Sequence, residues 1–346
     1  MTNLKLSYNI GISPKEKKRK DYLDNIEITS HYSLQKNRVS QYYKAIRKFN
    51  TNRKLDKLIA HLKTNKKSNN DWIKRYESTY NCQNVLLQQG AEFKSARCRK
   101  RWCQNCNRQK SAKLYADYKE TLLSMAEKQG LYFVTLTAPT CKQRQLKSTI
   151  ERRIKAFQRI KNNIRMRYET KLNGFRKLEV THNKNTNEYH PHFHFIVQGK
   201  REAYLLLALW LDQFGEAYFK AQDVQRINID ANNTKALAEV FKYATKGAIK
   251  DELDAEAEHT IQKAILGKRI YQTYGALYNV KSHELEETEK NTFDWLPNVD
   301  FEIYKFDMNL KDWSSADGKQ ICYTQEIETI IQNEREIRKK EPTNIC

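Results

Sequence analysis

The sequence predicts an α+β fold, in which an antiparallel sheet is flanked by helices and preceded by a small zinc-binding segment. Three observations support this prediction. From residue 131 to 250 the hydrophobic pattern runs strand, helix, strand, strand, helix, strand, helix, which is the order expected of one sheet with helices on its faces. Histidine stands at every second position of the segment HPHFH. Four cysteines lie close together between residues 82 and 106.

The chain is strongly basic, and its charge limits the class of its partners. Lys and Arg number 63 against 41 Asp and Glu among 346 residues, which gives a formal net charge of +22. This balance favours a polyanionic partner, either nucleic acid or a membrane surface. The sequence shows no apolar run of spanning length and no signal peptide at its N-terminus. We therefore expect a cytoplasmic protein that binds DNA rather than a membrane.

The predicted elements follow one another along the chain. Residues 1–80 are polar and basic with short patches of helical period, which predicts a partly helical N-terminal region. Residues 81–118 form a cysteine-rich segment, and a helix is predicted over 108–128. The later pattern predicts strands at LYFVTLTAP, GFRKLEVTHN, YHPHFHF and DVQRINI, and helices over 145–171, at AYLLLALWLDQFG and at NNTKALAEVFKYATKGAIK. Residues 281–346 form a C-terminal region to which the sequence assigns no role.

The cysteine cluster predicts a structural zinc site. Its members are spaced C-x15-C-x4-C-x2-C, and they are Cys82, Cys98, Cys103 and Cys106. In a cytoplasmic chain this spacing favours metal over disulfides, and four thiolates can close a tetrahedral zinc site. Arg99 and Arg101 lie between the ligands and would give the site a basic rim suited to DNA. The alternative is a set of buried free thiols, and Cys82 needs a loop to bring it in as the fourth ligand.

The histidine strand predicts a second metal site, this one on the sheet. Alternate side chains of a strand share a face, so His190, His192 and His194 point one way and the phenylalanines between them point into the core. A hairpin turn in NKNTNE places Glu179 opposite His192 on the same face. Two imidazoles and a carboxylate can hold Mg²⁺ or Mn²⁺ while leaving positions open for substrate. The alternative is a polar sheet face with hydrogen-bonded histidines. His190, at the strand entrance, is expected to support the ligands or to contact phosphate.

The last predicted helix carries a candidate nucleophile. Glu239 and Tyr243 are four residues apart, so they lie on one side of the helix, where Lys242 and Lys246 flank them. A phenol can attack a phosphodiester when a metal polarises the phosphate and lysines offset its charge. A carboxylate one turn away can activate water. Such pairs are common on helix surfaces, so this interpretation depends on the histidine strand.

The order of these motifs resembles that of a known family. FVTLTAP, then LEVTHN and YHPHFHFIV, then AEVFKYATK are similar to the three ordered motifs of rolling-circle plasmid replication initiators, which are HUH endonucleases. CRKRWCQNCNRQKSAKL also resembles the zinc segment that one branch of these proteins carries. The resemblance covers residues 80–250 and implies an HUH-like nickase domain over 119–280.

The resemblance implies a mechanism, cofactors and partners. Tyr243 would attack the scissile phosphate at the double-strand origin, leaving a 3′-OH and a 5′-phosphotyrosine. His192, His194 and Glu179 would hold Mg²⁺ or Mn²⁺, and Glu239 would direct hydrolysis at termination. Lys242 and Lys246 would contact phosphate. The implied partners are the plasmid origin, presented as a single strand or a cruciform, and the host helicase and polymerase. The oligomeric state is not indicated.

Three other classes of protein fit part of the sequence. An HUH-type single-strand transposase shares the metal site and a tyrosine, and the pairing of Glu239 with Tyr243 favours the plasmid initiator over it. A conjugative relaxase usually has its tyrosine before the histidines, which is the opposite order to the one here. A non-catalytic zinc-containing DNA-binding regulator explains the charge and the cysteines but not the histidine strand.

Overall fold

The computed structural model describes residues 26–64, 69–90, 92–228, 255–278, 280, 301–323, 327 and 332, with side chains from residue 39 onward. The helices are α1 (Ile26–Thr64), α2 (Asn70–Glu77), α3 (Gln104–Gln129), α4 (Leu146–Arg167), α5 (Lys200–Gln213) and α6 (Ala255–Ile265). The strands are β1 (Val85–Gln89), β2 (Glu92–Lys94), β3 (Leu131–Leu136), β4 (Gly174–Asn183), β5 (Glu188–Gln198), β6 (Asp223–Ile227), β7 (Tyr271–Tyr274), β8 (Glu302–Asp307) and β9 (Asp312–Ser314). Within these described ranges, no helix is both long and apolar enough to cross a membrane.

A five-stranded antiparallel sheet forms the centre of the fold, with strand order β6-β3-β5-β4-β7. The predicted α+β class is thereby confirmed, as are the predicted strands and helices between residues 131 and 227. Gly130 ends α3 with a φ of 75°, a conformation that favours glycine. The chain can therefore pass from α3 into β3 without an intervening loop.

The two faces of this sheet are covered differently. Phe193, Phe195 and the other inward residues of one face pack against α4 and α5 in the largest hydrophobic core. On the other face, Leu122 and Met125 of α3 cover only one end of the sheet, where they pack on Ile196. The other end of that second face carries His192 and His194. The alternation of His and Phe in β5 therefore sorts polar and apolar side chains to opposite sides, as the sequence predicts.

A second, four-stranded sheet of order β2-β1-β8-β9 joins two distant parts of the chain. Strand β1, which lies between Cys82 and Cys98 in the sequence, pairs antiparallel with β8, so that Leu86 lies opposite Tyr304. Both side chains are buried together with Trp313. The C-terminal region, for which the sequence suggests no role, thus supplies two strands that complete this sheet.

One glycine is fixed by the close approach of a neighbouring strand. Gly174 begins β4 with a φ of 155°, and a Cβ placed there would lie 1.9 Å from the backbone oxygen of Ile196. Gly174→Ala must therefore push β4 and β5 apart, and we expect the free energy of unfolding to fall by about 2–4 kcal/mol. Gly215→Ala is the matched control, because a Cβ at that glycine meets no atom within 4 Å. Thermal unfolding followed by circular dichroism would check this, and equal midpoints for the two variants would contradict it.

Candidate metal centres

The predicted facial cluster of two histidines and a carboxylate is assembled on the open end of the sheet. Strands β4 and β5 pair in the predicted register, with Glu179 opposite His192. The ligand atoms of Glu179, His192 and His194 all lie within 4.8 Å of one another. His192 is buried, and the other two are half-buried. Two nitrogens and an oxygen at this spacing fit one divalent cation, with coordination positions left open on the exposed side.

Hydrogen bonds from outside the cluster orient both imidazoles. Nδ1 of His192 lies 3.0 Å from the backbone oxygen of His190, and Nδ1 of His194 lies 3.1 Å from the hydroxyl of Thr135. In each ring Nε2 is the nitrogen left for a metal, and at His194 it lies 3.6 Å from Oε2 of Glu179. Partners of this kind fix the tautomer and orientation of metal-binding histidines.

The electrostatics of the histidine row favour metal binding over protonation. Burial and the neighbouring His192 lower the pKa of His194 to about 4, and burial lowers the pKa of His192 as well. The pKa of His190 is also lowered to about 4, by burial first and then by the charges of His192 and Arg153. At neutral pH the three rings are therefore uncharged, and each has a nitrogen lone pair to offer.

Two further side chains reach this face, and no sequence motif identified either of them. Lys177 is buried, and its Nζ lies 2.7 Å from Oε2 of Glu179, so the ion pair fixes the position of the carboxylate. Tyr271 lies opposite Lys177 in β7 and therefore points to the same face. Burial, followed by the charge of Glu179, raises the pKa of Tyr271. The alternation of β4 could have revealed Lys177, because it stands two residues before Glu179. Tyr271 enters through a distant strand.

The cysteine cluster is also assembled, and its geometry fits zinc. Sulfur separations are 3.6 Å for Cys82–Cys106, 3.6 Å for Cys82–Cys103 and 3.8 Å for Cys98–Cys106. A tetrahedral zinc site with sulfurs about 2.3 Å from the ion requires sulfur separations of roughly 3.8 Å. The loop that brings in Cys82 holds it close enough for its sulfur to accept a hydrogen bond from the backbone N–H of Cys98, at 3.4 Å.

Neighbouring positive charge makes the cluster suitable for thiolates. Cys103 caps α3 and Cys106 lies in its first turn, where the helix dipole favours negative charge. Lys48 of α1 is buried against the site and donates to the backbone oxygens of Tyr80 and Cys82, both at 2.9 Å. Hydrogen bonds with the other thiols lower the pKa of Cys82 and raise the pKa of Cys103. Four thiolates at this spacing therefore need a bound cation.

Arg99 and Arg101, the two arginines of the cysteine segment that were predicted to contact DNA, have different surroundings. Arg99 directly follows Cys98 and has a φ of 54°. Arg101 donates to the backbone oxygens of Ile265 at 2.7 Å and Lys268 at 2.9 Å, so its guanidinium stabilises the C-terminal end of α6. DNA contacts by these two arginines stay predictions. Residues Glu239, Lys242, Tyr243 and Lys246 lie outside the described residues, between β6 and α6 in the sequence.

Comparison with known proteins defines the class to which this fold and these sites belong. The profile of the replication protein family matches residues 90–316, which is more than half of the chain. The chain therefore belongs to the replication protein family, in agreement with its resemblance to rolling-circle plasmid initiators. No solved structure matches it significantly.

Three curated relatives, each called "Protein rep", support this membership. The Staphylococcus aureus protein is 29% identical over 167 residues, which cover 44% of this chain and 71% of the relative. The Bacillus amyloliquefaciens protein is 29% identical over 175 residues, covering 43% of this chain and 51% of the relative. The Streptococcus pneumoniae serotype 2 protein is 28% identical over 194 residues, covering 53% and 56%. The chain thus spans about half the length of the latter two.

The sheet site should bind one Mn²⁺ per chain, and His194→Ala should weaken that binding strongly. Loss of a group that only orients a ligand costs about 10–100-fold in affinity, so loss of a ligand should cost at least that much. His182→Ala is the matched control, because His182 lies in the same hairpin but bonds to Asn187 instead of joining the cluster. Electron paramagnetic resonance of free Mn²⁺ would measure both affinities. Equal affinities would exclude His194 as a ligand.

The cysteine site should retain one zinc ion per chain through purification, and Cys103→Ser should release it. Cys322→Ser is the matched control, because Cys322 is buried away from the cluster and its hydrogen bond to Asp312 is one that serine can also make. Zinc content would be measured by inductively coupled plasma mass spectrometry. A protein whose zinc content is unaffected by Cys103→Ser would show that the four sulfurs are free thiols.

Proposed function

We propose that this replication protein initiates rolling-circle plasmid replication by nicking one DNA strand at the double-strand origin. The observation that carries the proposal is the cluster of Glu179, His192 and His194 on the open end of the sheet. Membership of the replication protein family connects that cluster to DNA. The net charge of +22 supports a polyanionic substrate.

The proposed reaction is a transesterification on phosphorus. The phenol oxygen of Tyr243 forms a bond to the scissile phosphorus, and the bond from phosphorus to the 3′ oxygen breaks. The phenol loses its proton, and the departing 3′ oxygen gains one. The products are a free 3′-OH, from which a polymerase can extend, and a 5′-phosphotyrosine that keeps the other end on the protein.

The residues of the sheet would prepare the phosphate for this attack. A bound Mg²⁺ or Mn²⁺ supplies Lewis-acid polarisation of the phosphate. Thr135 and the backbone of His190 hold the two imidazoles in the orientation that such an ion requires, and Lys177 holds Glu179. Lys242 and Lys246 are proposed to offset charge on the phosphate. The described groups on the sheet are positioned before substrate arrives, which favours stabilisation of the transition state.

Termination and the wider partners form the second part of the proposal. Glu239, four residues before Tyr243 in the sequence, is proposed to take a proton from water, whose oxygen attacks the scissile phosphorus in the second cleavage. The bond from that phosphorus to the 3′ oxygen breaks, and the 3′ oxygen gains a proton. Attack by water would release the strand and end the cycle. The origin is proposed to be recognised as a single strand or cruciform. A host helicase and polymerase would act from the nick, while the zinc segment stabilises the fold beside the DNA.

A nicking assay with two tyrosine variants tests the proposal. Supercoiled DNA of the replicon that encodes this chain would be incubated with the protein and Mn²⁺, and nicked circles and adducts that survive SDS would be counted. We expect Tyr243→Phe to abolish the adduct and Tyr271→Phe to preserve it. Burial raises the pKa of Tyr271, which keeps its phenol protonated and makes it a poor nucleophile. Tyr271 nevertheless lies on the same face of the sheet as the histidines, so Tyr271→Phe is the matched control for loss of a phenol near the metal site.

Each other outcome has a distinct meaning. Loss of the adduct in Tyr271→Phe alone would transfer the role of nucleophile to that residue. Nicking without any adduct would indicate a hydrolytic route. Tight DNA binding with no metal-dependent nicking by the wild-type protein would contradict the proposal and support a zinc-containing DNA-binding regulator.

A further inference from the structure

A cleft of about 420 Å³ opens beside the histidine row and is not used by the metal sites. Its walls come from the segment after β3, from the β4–β5 hairpin and from the turn before β6. The lining residues that matter for its chemistry are Thr137, Pro139, His190 and Tyr218. The ring of His190 stacks on that of His192 with their centroids 5.0 Å apart. The cleft therefore begins one side chain away from a candidate metal ligand.

The side-chain amide of Gln222 holds the rim of the cleft in place through hydrogen bonds. The Oε1 atom of Gln222 accepts from the backbone N–H of Thr137 at 2.7 Å, and its Nε2 donates to the hydroxyl of Thr137 at 3.2 Å. The Nε2 atom also donates to the backbone oxygen of Tyr218 at 2.8 Å. Trp210 fixes the same region from below by donating to the backbone oxygen of Thr137 at 2.7 Å. The turn that carries Tyr218 is therefore preorganised against the end of β3.

Two aromatic side chains stand exposed on this rim. Tyr218 is 80% exposed and the adjacent Phe219 is 67% exposed. Isolated exposed aromatics are ordinary on protein surfaces. Tyr218 and Phe219, however, form a pair on a turn that hydrogen bonds hold in place. This turn lies at the mouth of a cleft, next to the candidate metal site. Aromatic rings presented to solvent in this way suit stacking by nucleobases of a single strand.

The charge around the cleft suits the backbone of such a strand. Among the described residues that line it, none is a carboxylate. Arg153 of α4 is fully buried, and its Nη2 donates to the backbone oxygen of Pro139, which lines the cleft, at 2.6 Å. Its Nε and Nη1 atoms have no hydrogen-bond partner in the part of the chain that the structure describes. A desolvated cation behind the wall attracts an anion with little screening by salt.

We infer that this cleft binds the single-stranded DNA flanking the scissile phosphate, with one nucleobase stacked on Tyr218 and the adjoining phosphate attracted by Arg153. The inference rests on the proposed function, because it assigns the substrate of the same site. It adds a subsite on the β6 edge of the sheet. Stacking depends little on base identity, so the subsite would hold the strand and leave reading of the origin sequence to other residues.

Binding of a short oligonucleotide tests the subsite without any cleavage. The probe is fluorescein-labelled (dT)12, measured by anisotropy with the full chain carrying Tyr243→Phe, in EDTA at a concentration that leaves the zinc content unchanged. Loss of one base–aromatic stack should weaken binding by about 5- to 100-fold, and we expect this for Tyr218→Ala. Tyr218→Phe keeps the ring and should bind like the parent. Tyr278→Ala is the matched control, because Tyr278 is 71% exposed and follows β7, at the opposite edge of the sheet.

The outcomes separate this inference from its rivals. If Tyr218→Ala binds (dT)12 like the parent, or if it weakens a duplex of the same length equally, the subsite is wrong. Complete displacement of the probe by millimolar dTMP would mean that the cleft takes a free nucleotide, which also overturns the assignment to a strand. Because the assay contains no nicking step, its failure is distinct from failure of the proposed function. A wild-type adduct combined with unaffected Tyr218→Ala binding would refute the subsite alone.

Discussion

The pairing of β4 with β5 is the constraint on which the rest of the structure depends. It runs through ten residue pairs, from Gly174 opposite Val197 to Asn183 opposite Glu188. A slip of one residue would move every side chain of β5 to the other face. The histidines would then enter the core against α4 and α5, and Phe193 and Phe195 would be exposed. The hydrophobic burial that stabilises the sheet thus also brings Glu179 to His192. The candidate metal site is therefore assembled when the sheet folds.

The cysteine site is connected to this sheet through helix α3. Helix α3 starts at the cysteines, and its other end packs on the sheet before leading directly into β3. Arg101, between two of the cysteines, holds the end of α6 through the backbone oxygens of Ile265 and Lys268. Trp102 packs on Tyr76 of α2, and Tyr76 in turn packs on His259 of α6, which connects both helices to the same region. Metal bound at the cysteines would therefore stabilise the contacts of α3 with the sheet and of Arg101 with α6.

Strong periodic signals made much of this arrangement predictable from sequence. The alternation in β5 predicts its faces, the turn predicts the partner of His192, and the cysteine spacing predicts a four-sulfur cluster. All three signals are local, and the structure confirms the geometry that they imply. The sheet formed by β1 and β8 could not be predicted, because its partners are more than 200 residues apart and β8 has no distinctive pattern. Tyr271 and Lys48 were missed for the same reason, since each reaches its site through tertiary contacts.

The excess of positive charge extends into the interior. Lys48, Arg153, Arg176 and Lys177 are all buried, although burial of a cation is costly unless partners replace its hydration. Lys48 has two carbonyls, Lys177 has Glu179, and Arg176 has the face of the Phe193 ring at 4.7 Å. Arg153 and Arg176 each keep two side-chain nitrogens without hydrogen-bond partners among the described residues. Surface lysines lose most of their attraction for DNA as salt rises. The desolvated charge of Arg153 is less screened. Under the proposed function, it would still attract a phosphate at the site after the general attraction has weakened.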